Sequence, residues 1–375
     1  MIKRYYLSIL SGNEKGIISE FFRFFLLPFA FLYFIVLLTR SALYKYGIVK
    51  RHRLPVTVIS IGNITTGGTG KTPFVEYVAR YLSSKKKRMA ILSRGYGGHT
   101  VVEPENTQSS EDNTGEARSG VNDECLVLGE NLNNVPILLG SDRVRNGHKA
   151  IRDYGVAFLI LDDGFQHLRL KRDLDVVVID ALNPFAGECL IPRGALREPL
   201  KSLERADLFL LSHCNQIQEE GLRTIYTKLK NFNSIAPICE SNHQPVHVEN
   251  LADNRRVEAS WLRKKRVYGL CAVGNPQSFS NTLRELGAEV IQFRTFQDHH
   301  AYTQAELDDI ISEAKSLSVD AIVVTQKDAV KIRNKSIHDV SIMSLAIEIR
   351  ITKGAKHLEA ALSNLLDFNE KFGTE

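Results

Sequence analysis

The segment Ser60-Ile61-Gly62-Asn63-Ile64-Thr65-Thr66-Gly67-Gly68-Thr69-Gly70-Lys71-Thr72 constrains this chain more than any other. A β-branched run, Val56 to Ile61, feeds a glycine-rich turn. A helical pattern follows over Thr72 to Leu82, with Phe74, Val78 and Leu82 on one face. Glycines let the backbone wrap closely and turn its N–H groups inward, and the helix N-terminus adds partial positive charge. Such a turn cradles phosphate groups. On this reading Lys71 reaches the β- and γ-phosphates of ATP and the Thr72 hydroxyl binds Mg²⁺. Thr65, Thr66, Gly67, Gly68, Thr69 and Gly70 wrap the nucleotide. The first glycine of the strict G-x-x-x-x-G-K-T spacing falls at Thr65, so the motif departs by one residue.

The pattern around this loop predicts the fold class. Met89 to Leu92, Val135 to Leu139, Val156 to Leu161, Val176 to Ile179 and Leu208 to Leu211 read as further strands. Near-continuous apolar strands separated by helices predict α/β, a doubly wound parallel sheet of the P-loop NTPase type. A second α/β series follows in Val267 to Val273, Val290 to Phe293, Ala321 to Thr325 and Ile342 to Leu345. The expected division is an N-terminal membrane-associated helical segment (1–53), a P-loop domain (54–236) and a smaller α/β domain (237–375). The last begins with a linking ribbon in Pro237 to Ser260. His99 to Gly120 is polar and reads as a surface loop.

The 375 residues suffice for two compact units. A formal net charge of +5 without an aromatic-interleaved basic stripe points away from nucleic acid. Cys125, Cys189, Cys214, Cys239 and Cys271 are scattered without a CxxC pair. That argues against disulfides and zinc and predicts free thiols. Phe24 to Leu38 is an apolar run of 15 residues, about 22 Å as a helix against a bilayer core of about 30 Å. Pro28 marks a kink or a helix start. Thr39 to Leu43 makes a poor signal-peptidase site. Arg40, Lys45, Lys50, Arg51 and Arg53 follow, so the run reads as a helix lying on or dipping into an anionic leaflet. The alternative is a buried core helix.

Other segments carry potential chemistry. Leu159-Ile160-Leu161-Asp162-Asp163-Gly164-Phe165-Gln166-His167 is an apolar strand ending in carboxylates, which suits a magnesium-side acid. Asn122-Asp123-Glu124-Cys125 offers a carboxylate that can accept a proton, although alone it reads as a helix N-cap. In Phe296-Gln297-Asp298-His299-His300-Ala301-Tyr302 the adjacent histidines point apart and make a poor metal pair. One of them can orient a carboxylate, or both are surface residues. Ser93-Arg94-Gly95-Tyr96-Gly97-Gly98 follows a strand and can present Arg94 and Tyr96 to a phosphorylated or sugar substrate. The rigid loop Leu190 to Pro199 can do the same with Arg193 and Arg197.

Together these segments resemble the tetraacyldisaccharide 4′-kinase family, the lipid A 4′-kinases, from the N-terminal apolar run to Thr325-Gln326-Lys327-Asp328-Ala329-Val330. Thr65 in place of the first glycine is part of that likeness. The resemblance implies ATP-dependent phosphorylation of the 4′-hydroxyl of an acylated glucosamine disaccharide at the cytoplasmic face of a Gram-negative inner membrane. No obligate protein partner is expected. It implies Asp123 as the base and His299 as its partner. Lys71, Thr72 and Asp162 or Asp163 would surround the phosphates and Mg²⁺, and His167, Arg94 and Tyr96 would lie near the acceptor. Two segments depart from the family pattern: Gly-Asp-Glu-Pro is Asn122-Asp123-Glu124-Cys125 here, and Ile-Pro-x-Gly-Pro is Ile191-Pro192-Arg193-Gly194-Ala195. Both spare the charged residues. The competing class is a membrane-surface positioning ATPase, which shares Gly-Gly-x-Gly-Lys-Thr but needs a lysine where this chain has Thr66. A small-molecule kinase whose first helix is a core helix is the third reading.

Overall fold

The computed structural model describes residues 17–95, 101–102, 122–132, 134–333, 335 and 340–372. Two helices come first, α1 (Ile17–Phe25) and α2 (Leu27–Lys45). Strand β1 (Thr57–Gly62) leads through the glycine-rich loop into α3 (Lys71–Ser84). Then follow β2 (Met89–Ser93), β3 (Val101–Val102), α4 (Asp123–Asn131), β4 (Ile137–Leu139), α5 (Arg143–Tyr154), β5 (Phe158–Asp162), β6 (Leu174–Asp180), β7 (Leu208–Ser212) and α6 (Glu219–Phe232). The rest of the chain forms β8 (Ile238–Asn250), β9 (Arg256–Glu258), β10 (Arg266–Cys271), α7 (Pro276–Glu285), β11 (Glu289–Thr295), α8 (Gln304–Ser316), β12 (Ala321–Thr325), α9 (Gln326–Ile332), β13 (Ile342–Lys353) and α10 (Ala355–Phe372). The predicted loop His99 to Gly120 lies outside the described residues apart from β3.

The strands form one sheet in the order β11-β10-β12-β13-β8-β7-β6-β1-β5-β2-β4-β3, with β9 on β8. Strands β7, β6, β1, β5, β2 and β4 are mutually parallel. Every residue of β1, β2, β5 and β7 is buried, as two-sided helical cover requires of apolar strands. Helix α3 closes one face with Phe74, Val75, Val78, Ala79 and Leu82 against Ile59 and Ile61. The chain leaves β1 for β2, skipping the place that β5 later fills, and β6 takes the other side. The loops after β1, β2 and β5 therefore converge at the carboxyl ends of adjacent strands, where doubly wound sheets bind ligands.

The ribbon expected in residues 237–260 is strand β8, and its partner was only half legible. Strand β13 runs to Lys353, well past the expected end at Leu345, and pairs antiparallel with β8. Its second half alternates between exposed and buried residues, so it lacks the continuous apolar run that marked the other strands. The pair makes the two parallel halves one continuous sheet. Helix α10 then returns to the first half, placing Leu358 and Leu362 in the core under α3.

Helix α2 has 19 residues, about 28 Å, longer than the 15-residue run implied and near the thickness of a bilayer core. Pro28 sits in its first turn, so it starts the helix. The core-helix alternative fails: Phe21, Phe24, Phe29, Phe31, Leu32 and Val36 are all exposed. A single face is anchored. The Tyr33 hydroxyl donates to the Arg197 carbonyl at 2.9 Å, and the Arg40 guanidinium to the Gln166 carbonyl at 2.7 Å.

The close approach of β1 to the turn after β5 gives a test of packing. A Cβ on Gly62 would lie 2.5 Å from Cβ and 2.6 Å from the backbone nitrogen of Phe165, which is buried. Gly62→Ala is expected to cost about 1–3 kcal/mol, read as a lower urea midpoint at unchanged slope. An unchanged midpoint would contradict this packing.

Candidate active site

The glycine-rich loop is held from below and from one side. Asn63 donates from Nδ2 to the Thr69 hydroxyl at 3.1 Å, and the Ser212 hydroxyl donates to the Thr69 carbonyl at 2.9 Å. The backbone N–H of Thr66 donates to the Ala195 carbonyl at 2.8 Å, and that of Arg197 to the Ile64 carbonyl at 2.7 Å. Thr65 forms an isolated antiparallel bridge with Leu196. This explains the missing first glycine: at Thr65 the backbone is still extended and paired, and positive φ begins only at Gly67 (+103°) and Gly70 (+85°). Nothing lies within 4 Å of where side chains on Gly67 and Gly68 would point, so the backbone there faces open space. Lys71 and Thr72 open α3 behind this arch.

Asp162 and Asp163 end β5 in different electrostatic settings. Arg197 grips Asp163 with two parallel hydrogen bonds of 2.8 Å each and also reaches Asn63 Oδ1 at 3.3 Å. Lys71 Nζ stands 3.7 Å from Asp163 Oδ1. Burial alone would raise the Asp163 pKa, but Arg197 and Lys71 bring it down to about 2. Asp162 is 2% exposed. Burial first, then Glu124 and Asp163, push its pKa up to about 6. Ser93 donates to its Oδ2 at 3.0 Å, and Arg143 to its backbone carbonyl at 2.9 Å. Its Oδ1 is buried without a hydrogen-bond partner.

Asp123 opens α4, and the helix cap is its neighbour: the Asn122 side chain accepts from Cys125 N at 2.8 Å. This frees the Asp123 carboxylate, which the second half of the chain meets. His299 Nδ1 lies 2.7 Å from Asp123 Oδ1, and Lys331 Nζ lies 3.3 Å from Oδ2. Burial would raise the Asp123 pKa; the His299 hydrogen bond and the charges of Lys327 and Lys331 lower it to about 2. The same hydrogen bond raises the His299 pKa. Lys327 bonds Glu124 at 2.5 Å. His300 turns instead to Glu306, at 3.1 Å, so the two histidines diverge as expected. Gly274 closes the roof: a Cβ there would lie 3.2 Å from Gly68 N.

The expected acceptor-side residues are only partly brought together. Arg94 is exposed just after β2, and Tyr96 lies outside the described residues. His167 is half-buried, and its pKa is lowered to about 4 by burial and by Arg143, Arg172, Arg40 and Arg169. Arg193 turns back to Cys189 Sγ at 3.3 Å within its own loop. Arg197, grouped with it in the sequence, stands beside the phosphate loop. Sequence reasoning gave no role to Arg143, Ser93 or Lys331. Arg143 heads α5, where a cation reads as an ordinary surface residue, yet it is 4% exposed.

Residues 22–367 match the family model for Tetraacyldisaccharide-1-P 4′-kinase. The chain is 36% identical over 376 residues to a tetraacyldisaccharide 4′-kinase of Halothermothrix orenii, covering 96% of this chain and 97% of that one. It is 38% identical over 327 residues to one from Anaeromyxobacter sp. strain Fw109-5, covering 87% of each. Its structure resembles the crystal structure of the "apo" form of LpxK from Aquifex aeolicus in complex with ATP. The TM-score is 0.70 at 29% identity, over 92% of this chain and 99% of that chain.

The Asp123–His299 pair sets a pH window. His299 has a raised folded pKa, so its stabilisation is full below about 6.5 and fades as pH rises through that raised value. Asp123 has a lowered one, so its stabilisation is full above about 4 and is lost as pH falls toward 2. His299→Ala is therefore expected to lose more stability at about pH 5.5 than at about pH 9 in urea unfolding. Equal losses at the two pH values would contradict the pairing.

Proposed function

The chain belongs to the tetraacyldisaccharide-1-phosphate 4′-kinase family, and we propose that it transfers the γ-phosphate of ATP to the 4′-hydroxyl of a tetraacylated glucosamine disaccharide 1-phosphate. The observation that carries this reading is the meeting of a phosphate loop with a buried carboxylate, Asp123, that a histidine of the second half, His299, contacts at 2.7 Å.

Phosphoryl transfer depends mainly on positioning and charge neutralisation. The backbone arch of Gly67 to Gly70, the α3 N-terminus and Lys71 hold the β- and γ-phosphates. Asp123 takes the proton of the 4′-hydroxyl as its oxygen attacks the γ-phosphorus. The bond to the β–γ bridging oxygen breaks, ADP leaves, and the proton ends on Asp123. His299 fixes the carboxylate's orientation. His167, Arg94 and Tyr96 serve the acceptor side. Arg197 steadies the phosphate loop against Asp163.

The residues present fit a Mg²⁺ ion. The buried, partnerless Asp162 Oδ1 is a hard oxygen donor of the kind Mg²⁺ takes, while both Asp163 oxygens are engaged by Arg197. Among the described residues no three His, Cys, Asp or Glu side chains form a metal cage. That suits an ion held by one or two protein oxygens, phosphates and water. Thr72 and Asp162 would hold it, and it would neutralise charge developing on the β- and γ-phosphates.

The acyl chains explain the bare face of α1 and α2. An exposed apolar face rests in the inner-membrane interface on the cytoplasmic side, peripherally or monotopically, while Tyr33 and Arg40 keep it against the catalytic loops. A sugar delivered there reaches the site without leaving the lipid surface. Membership of this family sets aside the positioning-ATPase reading.

Incubation with γ-labelled ATP and a diglucosamine lipid 1-phosphate is expected to label the lipid. Lys71→Ala and Asp123→Asn should each lower that transfer by at least about 100-fold. ADP release with no labelled lipid would overturn the proposal.

A further inference from the structure

Helices α4 and α9 meet along a seam of charges. Asp123 and Glu124 of α4 face Lys331 and Lys327 of α9, Glu130 faces Arg333, and Asn131 accepts from Gln326. The apolar faces of the two helices point elsewhere: Cys125 and Leu128 into the core of the first half, Ala329 and Ile332 into that of the second. Polar groups join them at the place where Asp123 sits.

Lys331 has a defined seat in this seam. Its side chain is 14% exposed, and its ammonium lies 3.3 Å from Asp123 Oδ2 and 3.6 Å from Asp328 Oδ1, over the Tyr302 ring at 6.0 Å. Asp328 is fully buried and immobilised: Ala272 N and the Tyr302 hydroxyl each donate to its Oδ1 at 3.0 Å, and the Thr325 hydroxyl donates to its Oδ2 at 2.6 Å. Lys331 Nζ and Asp123 Oδ2 face each other without hydrogen-bond geometry, so the attraction is mainly between charges. One short segment therefore governs both oxygens of the Asp123 carboxylate. Its His299 holds Oδ1 directly, and its Tyr302 holds Oδ2 through Asp328 and Lys331.

We propose that Lys331 is a positioning residue for phosphoryl transfer, which fixes the second oxygen of the Asp123 carboxylate from the far half of the chain. The inference rests on Asp123 being the base. An ammonium between two carboxylates keeps Asp123 ionised and stops it turning about its Cβ–Cγ bond, so that one lone-pair direction stays aimed at the acceptor hydroxyl. The other charged groups facing Asp123 include His299, Lys327, Glu124 and, through Lys331, Asp328.

The test compares kcat and KM of the full-length enzyme with Lys331→Met, Lys331→Arg, Arg333→Met and Asp123→Asn, each checked for folding by thermal unfolding. Lys331→Met is expected to lower kcat by about 10- to 100-fold while KM for ATP and for the lipid moves less than about threefold. Lys331→Arg restores most of the rate, and in a further variant, Lys331→Ala, added methylammonium partly restores it. Arg333→Met breaks the same seam at Glu130 and leaves kcat within about threefold. If Asp123→Asn is impaired but Lys331→Met keeps kcat within about twofold, the positioning role falls and the base stands. It also falls if neither arginine nor methylammonium restores the rate, or if Arg333→Met loses as much as Lys331→Met. If Asp123→Asn itself keeps near-normal turnover, the base reading falls and takes the Lys331 role with it.

Discussion

Asp123 and His299 are 176 residues apart in sequence and 2.7 Å apart in space. Much of the architecture serves that contact. Asp123 is fixed by Asn122, which caps α4 in its stead, and by the sheet of the first half against which α4 packs. His299 sits in the loop after β11, the outermost strand of the other half, with φ at +63°. Bringing the two together requires the antiparallel β8–β13 pair, which sets where the second half lies relative to the first. A pair divided in this way exists only when the halves are docked. That docked arrangement is also the one in which Gly274 approaches the glycine-rich loop.

The phosphate loop is a second instance of local structure set by distant groups. Its arch meets nothing within 4 Å where side chains on Gly67 and Gly68 would point, so it cannot rely on self-packing. Asn63, Ser212 and the backbone of Ala195 to Arg197 hold it instead. Arg197 joins three parts of the site at once: its N–H holds the Ile64 carbonyl, its guanidinium clamps Asp163, and its carbonyl accepts from Tyr33 of the apolar helix. The apolar helix and the glycine-rich loop are therefore two contacts of one residue. Asp163 is held ionised by that clamp. Asp162, whose charge burial opposes, keeps one buried oxygen without a hydrogen-bond partner.

The legibility of each feature followed its physics. Strands β1, β2, β5 and β7 were readable because burial on both faces writes a continuous apolar run, and Lys71 and Thr72 were readable because their strand–loop–helix setting is local. The apolar run of β13 ends at Leu345 because beyond it one face meets solvent. The apolar run predicts a shorter α2 because Arg40 and Lys45 interrupt its composition without interrupting its backbone. Arg143 and Lys331 carried no local mark. A buried cation and a surface cation are the same letter, and only the tertiary contact with Asp162 or Asp123 distinguishes them. Arg197 shares a loop with Arg193 in sequence, yet backbone pairing at Thr65 and Leu196 turns it toward Asp163 and the glycine-rich loop. The pairing of His299 with Asp123 came from resemblance to a family, since no spacing encodes a contact between halves.

The central claim is that Asp123 and His299 act as one unit in phosphoryl transfer. A double-mutant cycle on kcat for lipid phosphorylation tests it, using Asp123→Asn, His299→Ala and the pair together. If the histidine works only through the carboxylate, the double variant falls no further than Asp123→Asn alone, within about threefold. If the two losses multiply in the double variant, the residues act independently, and the account of a base assembled from two halves of the chain is contradicted.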